Sequence, residues 1–151
     1  KKGKHKETKI NLNGGSNGTD NIDFSSGNSY GDHSYFIAIN KFNTDGISAM
    51  NDEKTTNDND SYKNTSIIAN YSYQINNNST LNGSLRYSDS FLNYDEVTSG
   101  RTDSNNSSDD DELSYNLSYK LKKDKFNHSF TYNYTGIDRA TKNYLNNPKE
   151  N

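Results

Sequence analysis

Four successive stretches of this chain alternate apolar and polar residues with period two. From Thr65 the odd positions carry Ile67, Ala69, Tyr71, Tyr73 and Ile75. From Leu81 they carry Gly83, Leu85 and Tyr87, and from Leu113 they carry Tyr115, Leu117, Tyr119 and Leu121. A fourth run sets Phe130, Tyr132 and Tyr134 against Ser129, Thr131, Asn133 and Thr135. The intervening positions are mostly Ser, Asn and Thr. Successive side chains of a strand point to opposite faces, so each run has one apolar and one polar face, whereas a helix would scatter both kinds around its circumference. Shorter runs of the same type occupy residues 9–13, 21–24 and 34–42, the last with Tyr35, Ile37 and Ile39 on one face. The chain therefore reads as all-β, with about seven strands. Each is close to the ~9–11 residues that cross a membrane at a tilt.

Composition says what such strands cannot do. Hydrophobic residues make up 27% of the 151 residues and charged residues 25%; mean hydropathy is −1.24. An ordinary globular domain is nearer half apolar, so a two-layer hydrophobic core is excluded. The same numbers describe a disordered chain, which cannot bury enough apolar surface to offset its ordering entropy. Aromatics at 12% and a single proline, Pro148, argue against that. The net charge of −3 offers no basic stripe for nucleic acid. The absence of Cys excludes disulfides and thiolate metal sites. No run approaches the ~18 apolar residues of a membrane-spanning helix. Lys1-Lys2-Gly3-Lys4-His5-Lys6 has neither an initiator Met nor an apolar signal segment, and reads as an internal piece of a longer chain.

The connections alternate in length. Residues 14–19 and 27–32 read as tight, 43–63 as long, 76–80 as short, 94–112 as long and 122–125 as short. Outer-membrane barrels place short turns on the periplasmic side and longer loops outside. With the first strand running outward, strands three, five and seven end in external loops, and only the first external loop is short. A soluble β-sandwich also alternates, but its buried faces are rich in Val, Ile, Leu and Phe. Tyr-rich faces suit interfacial aromatic girdles, and Ser, Asn and Thr suit a wet lumen. The expected fold is an antiparallel transmembrane β-barrel segment.

Lys41-Phe42-Asn43-Thr44-Asp45-Gly46-Ile47-Ser48-Ala49, followed by Asn59-Asp60-Ser61-Tyr62-Lys63-Asn64-Thr65-Ser66, resembles the third and fourth strands of TonB-dependent outer-membrane receptors, in the branch that takes cobalamin, colicins and siderophores. Residues 85–95 are similar to the fifth strand and its loop, and Phe130 to Arg139 to the seventh. The resemblance is strongest over residues 35–134. It implies a barrel of about 22 strands around an N-terminal plug. On that reading residues 1–151 form a partial barrel domain that starts after the plug and ends in the fourth external loop. Seven strands cannot close a barrel and would leave two unpaired edges, which lipid does not tolerate. The implied partners are outer-membrane lipid, the plug of the parent chain, a TonB-type energy transducer acting through that parent, and a small-molecule nutrient.

The long connections are acidic. Asp45, Asp58 and Asp60 fall in one, and Asp95 and Asp109-Asp110-Asp111 in the other. Hard cations such as Ca²⁺ take six to eight oxygen ligands, and these segments offer little else. The resemblance implies a calcium site that orders both loops, with Asp45 in the Asp-Gly turn and Asp58 and Asp60 before strand four. Asp95 would follow strand five, and Asp109 would precede the leucine that opens strand six. The bland alternative is a set of solvated, mutually repelling acids. Gly14-Gly15-Ser16-Asn17-Gly18-Thr19-Asp20 has the look of one calcium-binding nonapeptide of a β-helix, but a lone copy is better read as a hairpin turn. His5, His33 and His128 lack metal-ligand spacing, and no Gly-x-Ser-x-Gly elbow occurs. Arg86 and Lys120 fall on the polar, lumen-facing phase.

No catalysis is expected. The parent would carry a scarce, bulky nutrient across the outer membrane of a Gram-negative bacterium. Cobalamin comes first by resemblance, then ferric siderophores or haem. A passive porin, a secreted calcium-binding adhesin and a disordered acidic segment are the competing readings.

Overall fold

The structure is a computed structural model that describes residues 6–47, 59–95 and 106–142. These form one antiparallel sheet of seven strands and no helix. The strands are β1 (Glu7–Gly14), β2 (Asp20–Tyr30), β3 (His33–Thr44), β4 (Tyr62–Asn76), β5 (Ser79–Tyr94), β6 (Asn106–Lys123) and β7 (Phe126–Lys142). Each pairs with its sequence neighbours, so the sheet is an open meander with β1 and β7 as edges.

Among the described residues no hydrophobic side chain is buried. The sheet is a single layer, and along the middles of β3 to β7 its two faces differ in polarity. Register places Ile37, Ala69, Leu85, Tyr115 and Tyr134 opposite one another across β3 to β7. The neighbouring row on that face is Ile39, Ile67, Tyr87, Leu113 and Gly136. On the other face Asn70, Ser84, Asn116 and Asn133 stand opposite one another. Side-chain hydrogen bonds join strands there: Asn64 Nδ2 donates to Ser88 Oγ at 3.0 Å and Ser72 Oγ to Asn82 Oδ1 at 2.9 Å. Arg86 and Lys120 are both on this polar face.

Four hollows of about 460, 300, 340 and 310 Å³ mark the sheet, each lined mainly by side chains of the polar face.

The strand runs and the phase of each are as the alternation predicts. Two boundaries differ. The turn between β2 and β3 is Gly31-Asp32 alone, because Gly27 to Tyr30 pair with His33 to Phe36. Gly31 has φ 58°, which a glycine adopts without strain, so the chain reverses in two residues. The second difference concerns the acidic run. Asp109, Asp110 and Asp111 are strand residues of β6, opposite Phe91, Ser90 and Asp89 of β5. The sequence places them in a loop because Ser- and Asp-rich composition reads that way. Cross-strand pairing extends the ladder through them.

At the turn end, backbone bonds knit the hairpins together. Gln74 N–H donates to Asp32 O at 2.8 Å and Lys122 N–H to Asn78 O at 2.8 Å. A bulge between Gln74 and Asn76 shifts the register, and the Gln74 side chain fills the gap by donating to Ser79 O at 3.2 Å.

Candidate functional site

The strand ends that flank both long connections lie at the same end of the sheet as the β1–β2 turn, and Asp45, Asp60 and Asp95 are found there. The β1–β2 turn is a hairpin, as the lone Gly-rich heptapeptide predicts. Gly15 N–H donates to Thr19 O at 2.9 Å, with Asn17 and Gly18 in the left-handed region at φ 55° and 62°. The end of β3 packs onto it. Asp45 N–H donates to Asn17 O at 2.9 Å, Thr44 Oγ1 donates to the same carbonyl at 3.2 Å, and Thr19 and Thr44 share a hydroxyl bond of 2.9 Å. A methyl group on Gly18 would fall 2.1 Å from Asp45 Oδ2, so the Asp45 carboxylate rests directly on this turn.

Asp60 lies on the arm facing Asp45. Its N–H donates to Ile47 O at 3.4 Å, and its carbonyl oxygen is so close to Gly46 that a Cβ there would sit 2.0 Å away. Asp95 follows β5 directly and is half-buried. Beside it, Asn93 N–H donates to Ser61 O at 2.9 Å, which aligns the end of β5 with the start of β4. Asp45, Asp60 and Asp95 thus share the loop end. Asp58 lies outside the described residues. Asp109 stands apart, exposed in β6 opposite Phe91 and Ala140. Among the described residues no three His, Asp or Glu side chains come together in a group that could hold a metal ion.

Polarity inverts at this end. On the otherwise apolar face, Asp89, Asp111 and Asp138 stand directly opposite one another, all exposed. Like charges in such pairs are destabilising unless water or a counterion screens them. Tyr87 Oη donates to Asp111 Oδ1 at 2.8 Å, which neutralises little of that charge. On the otherwise polar face, Phe42, Tyr62, Leu92 and Tyr94 form an apolar patch across β3 to β5, with Tyr62 in register with Leu92. The Phe42 and Tyr62 rings are 6.0 Å apart at 47°, an edge-tilted pair.

This aromatic pair borders the largest of the four hollows, about 460 Å³, within the usual range of small-molecule sites. The rest of its wall is Asn13, Asn21, Asn40 and Asn64 with the glycines and threonine of the β1–β2 turn. Asn40 is held rigidly. Its Nδ2 donates to Asn21 Oδ1 and to Asp23 Oδ1, both at 2.6 Å, and Asn21 Nδ2 donates to Asp23 Oδ2 at 2.9 Å. Sequence reasoning centred on the aspartates passes over this pocket. The sequence signal was weak: Phe42 and Tyr62 are even-numbered where Tyr35, Ile37, Ile39, Ile67, Ala69 and Tyr71 are odd, but Phe36 and Ile68 are even-numbered too.

No helix among the described residues is long and apolar enough to cross a membrane, a fact that leaves strands untouched. No protein-family model, curated protein or solved structure matches this chain.

Proposed function

We propose that this sheet is part of the wall of a transmembrane β-barrel, and that the parent protein is a TonB-dependent outer-membrane receptor importing a bulky, scarce nutrient. The observation that carries the membrane part is a diagonal drift of the apolar band across the ladder. Asn11, between Ile10 and Leu12, is connected by register through Asp23, Asn40, Ser66, Ser88 and Glu112 to Ile137. A band parallel to the ladder rows would therefore centre on Ile137 in β7. The apolar run of β7 instead spans Phe126 to Tyr134 and centres on Phe130, seven residues nearer the turn.

That displacement measures an angle. Seven residues at about 3.3 Å are roughly 23 Å along the strand, while six strand steps at about 4.8 Å are roughly 29 Å across it. A band level with a membrane then requires strands tilted by about 39°, within the 35–45° of closed barrels. Starting from Ile37 in β3, the register leads to Tyr134, four residues from Phe130 in four steps, and gives about 35°. A sandwich face has no reason to drift in this way. The Ser-, Asn- and Thr-rich polar face supports the same reading, because such side chains suit a wet lumen.

The receptor part rests on the resemblance over residues 35–134. Wall strands, a lipid-facing band and external connections are what this chain contributes; the plug and the energy transducer act through the parent. Cobalamin is the first nutrient on that resemblance, with ferric siderophores and haem next. Calcium belongs to the proposal as an ordering ion for the two long connections, with Asp45, Asp58, Asp60 and Asp95 as donors and Asp109 as the weakest member, because it sits in β6. In the intact receptor, millimolar calcium should slow proteolysis of residues 48–58 and 96–105; identical cleavage in chelator would remove calcium from the scheme.

Residues 1–151 contain no cysteine, so labels can be placed here singly once any cysteines elsewhere in the full-length protein are replaced. Single cysteines at Leu85 and Leu117, and at Ser84 and Asn116, would be spin-labelled in the full-length protein in outer-membrane vesicles. The first pair should collide with oxygen and the second with a water-soluble nickel chelate. Equal chelate accessibility on both faces would defeat the barrel reading. Loss of nutrient uptake in cells lacking the energy transducer tests the receptor class.

A further inference from the structure

We infer that the hollow beneath the β1–β2 turn binds a neutral, hydroxyl-rich ring, that is, a pyranose unit of a saccharide. The placement of this pocket at an external mouth rests on the barrel reading; its chemistry does not. The wall of the hollow contains no charged side chain: four asparagines, two aromatic rings, two glycines and a threonine make it up. An anionic ligand such as a ferric catecholate or a phosphate calls for Arg or Lys, whose forked or point charges pair with it. None borders this pocket.

What the pocket offers is the complement of a sugar. A pyranose has a face of axial C–H bonds and a rim of hydroxyls that both donate and accept. Phe42 and Tyr62 supply aromatic rings for the C–H side, and the asparagine amides supply polar atoms for the rim, Asn40 as an acceptor through Oδ1. Pre-organisation is built in. Both Nδ2 hydrogens of Asn40 are engaged by Asn21 and Asp23, which fixes the amide and leaves Oδ1 as its remaining acceptor. Asn64 Nδ2 is engaged by Ser88 Oγ in the same manner. Fixed amides lose little entropy when a ligand arrives. Gly14 and Gly15 add no side chain to the rim, so a ring can approach the backbone there. The hollow of about 300 Å³ is also uncharged and is lined by Tyr35, Phe36 and Tyr71 with three asparagines, while those of about 310 and 340 Å³ carry Arg86 or lysines. The largest hollow is set apart by its contacting Phe42–Tyr62 rings beside the fixed Asn40 amide.

The test uses the full-length protein purified from outer membranes in detergent. Titration calorimetry would be run with neutral hexasaccharides of α-glucose, β-glucose and N-acetylglucosamine, alongside cyanocobalamin and a ferric catecholate. At least one neutral saccharide should bind. Phe42→Ala and Tyr62→Ala should each weaken it about tenfold or more, and Tyr62→Phe, which keeps the stacking face, should stay within about threefold of the parent. Absence of binding by all three saccharides, or equal affinity in the alanine variants, overturns the inference. Binding of cyanocobalamin or the catecholate with no saccharide also overturns it while leaving the receptor reading intact. Heat-modifiable electrophoretic migration of each variant reports the barrel separately: an unheated wild-type sample that migrates as unfolded chain counts against the barrel itself.

Discussion

The two ends of this sheet follow opposite rules although the same strands run through both. At the turn end, the apolar face carries aromatics: Tyr30, His33, Tyr73, Leu81, Tyr119 and Phe130 lie in one register row. At the loop end that face carries Asp89, Asp111 and Asp138, and the opposite face carries Phe42, Tyr62, Leu92 and Tyr94. Alternation is thus a local property, set by what each stretch of strand faces. In the proposed barrel, alternation is most regular where one face would meet lipid and the other water; beyond that band both faces would meet water, and an aromatic on the inner face would be open to a ligand.

The largest expected effect separates these two environments on one strand. In full-length protein unfolded by urea from phospholipid vesicles, Leu117→Arg at the centre of the β6 run should cost about 2–4 kcal/mol, the depth-dependent penalty for a cation at the bilayer midplane. Asp111→Arg, three pairs further along the same face, should cost about 0–1 kcal/mol. It also relieves the repulsion with Asp89 and Asp138. Equal costs for the two substitutions would erase the difference between the ends.

The contrast between the ends also explains what could be read in advance. Strands β4 to β7 were legible because their middles alternate with few exceptions, Ile68 among them, and period two has one structural solution. The acidic run 109–111 was misplaced because charge at the end of an apolar stretch of strand looks like charge in a loop. Only the opposite strand shows that Ser90 and Phe91 still pair with it. The Phe42–Tyr62 pocket was harder still. The two residues are twenty positions apart in sequence, and no spacing rule connects them until the register of β3 on β4 is known. The sequence puts Asp45 and Asp60 on the two arms of one connection; that Asp45 packs against the β1–β2 turn through Asn17 belongs to tertiary structure.

Glycines sharpen the comparison next. Gly46 has φ 69°, and an added Cβ would lie 2.0 Å from the carbonyl oxygen of Asp60. Backbone cannot swing aside as a side-chain tip can, so Gly46→Ala should cost about 2 kcal/mol or more, combining left-handed strain with displacement of the opposite arm. Gly31, at the turn end, has φ 58° and open space around it. Gly31→Ala should therefore cost only the conformational penalty, about 1 kcal/mol. Chemical denaturation of both variants tests whether the loop end is packed as tightly as its bonds indicate. A Gly46→Ala variant no less stable than Gly31→Ala would break that picture.

The aromatic row at the turn end gives a smaller effect. His33 stacks on Tyr73 with ring centroids 4.5 Å apart and 9° between planes, and its Nδ1 lies 2.6 Å from Tyr71 Oη. A double-mutant cycle on His33→Ala and Tyr73→Ala should give a coupling of about 0.5–1.5 kcal/mol, the range of paired aromatic rings. Zero coupling would mean the row is held by its lipid or water surroundings alone.

The smallest effect belongs to the polar face. Ser114 shares a hydroxyl bond of 3.1 Å with Thr135 across β6 and β7. Its chain neighbour Leu113 points to the other face and is 39% exposed to whatever covers that side. If the polar face is wet, removing the Ser114 hydroxyl exchanges one hydrogen bond for water, and Ser114→Ala should change stability by no more than about 0.5 kcal/mol. Leu113→Ser, one residue away, should cost about 1–2 kcal/mol, because it moves a hydroxyl into the apolar side without a partner. Reversal of this order, with the serine substitution tolerated and the alanine substitution damaging, would mean that water covers the apolar face and that a packed partner covers the polar one.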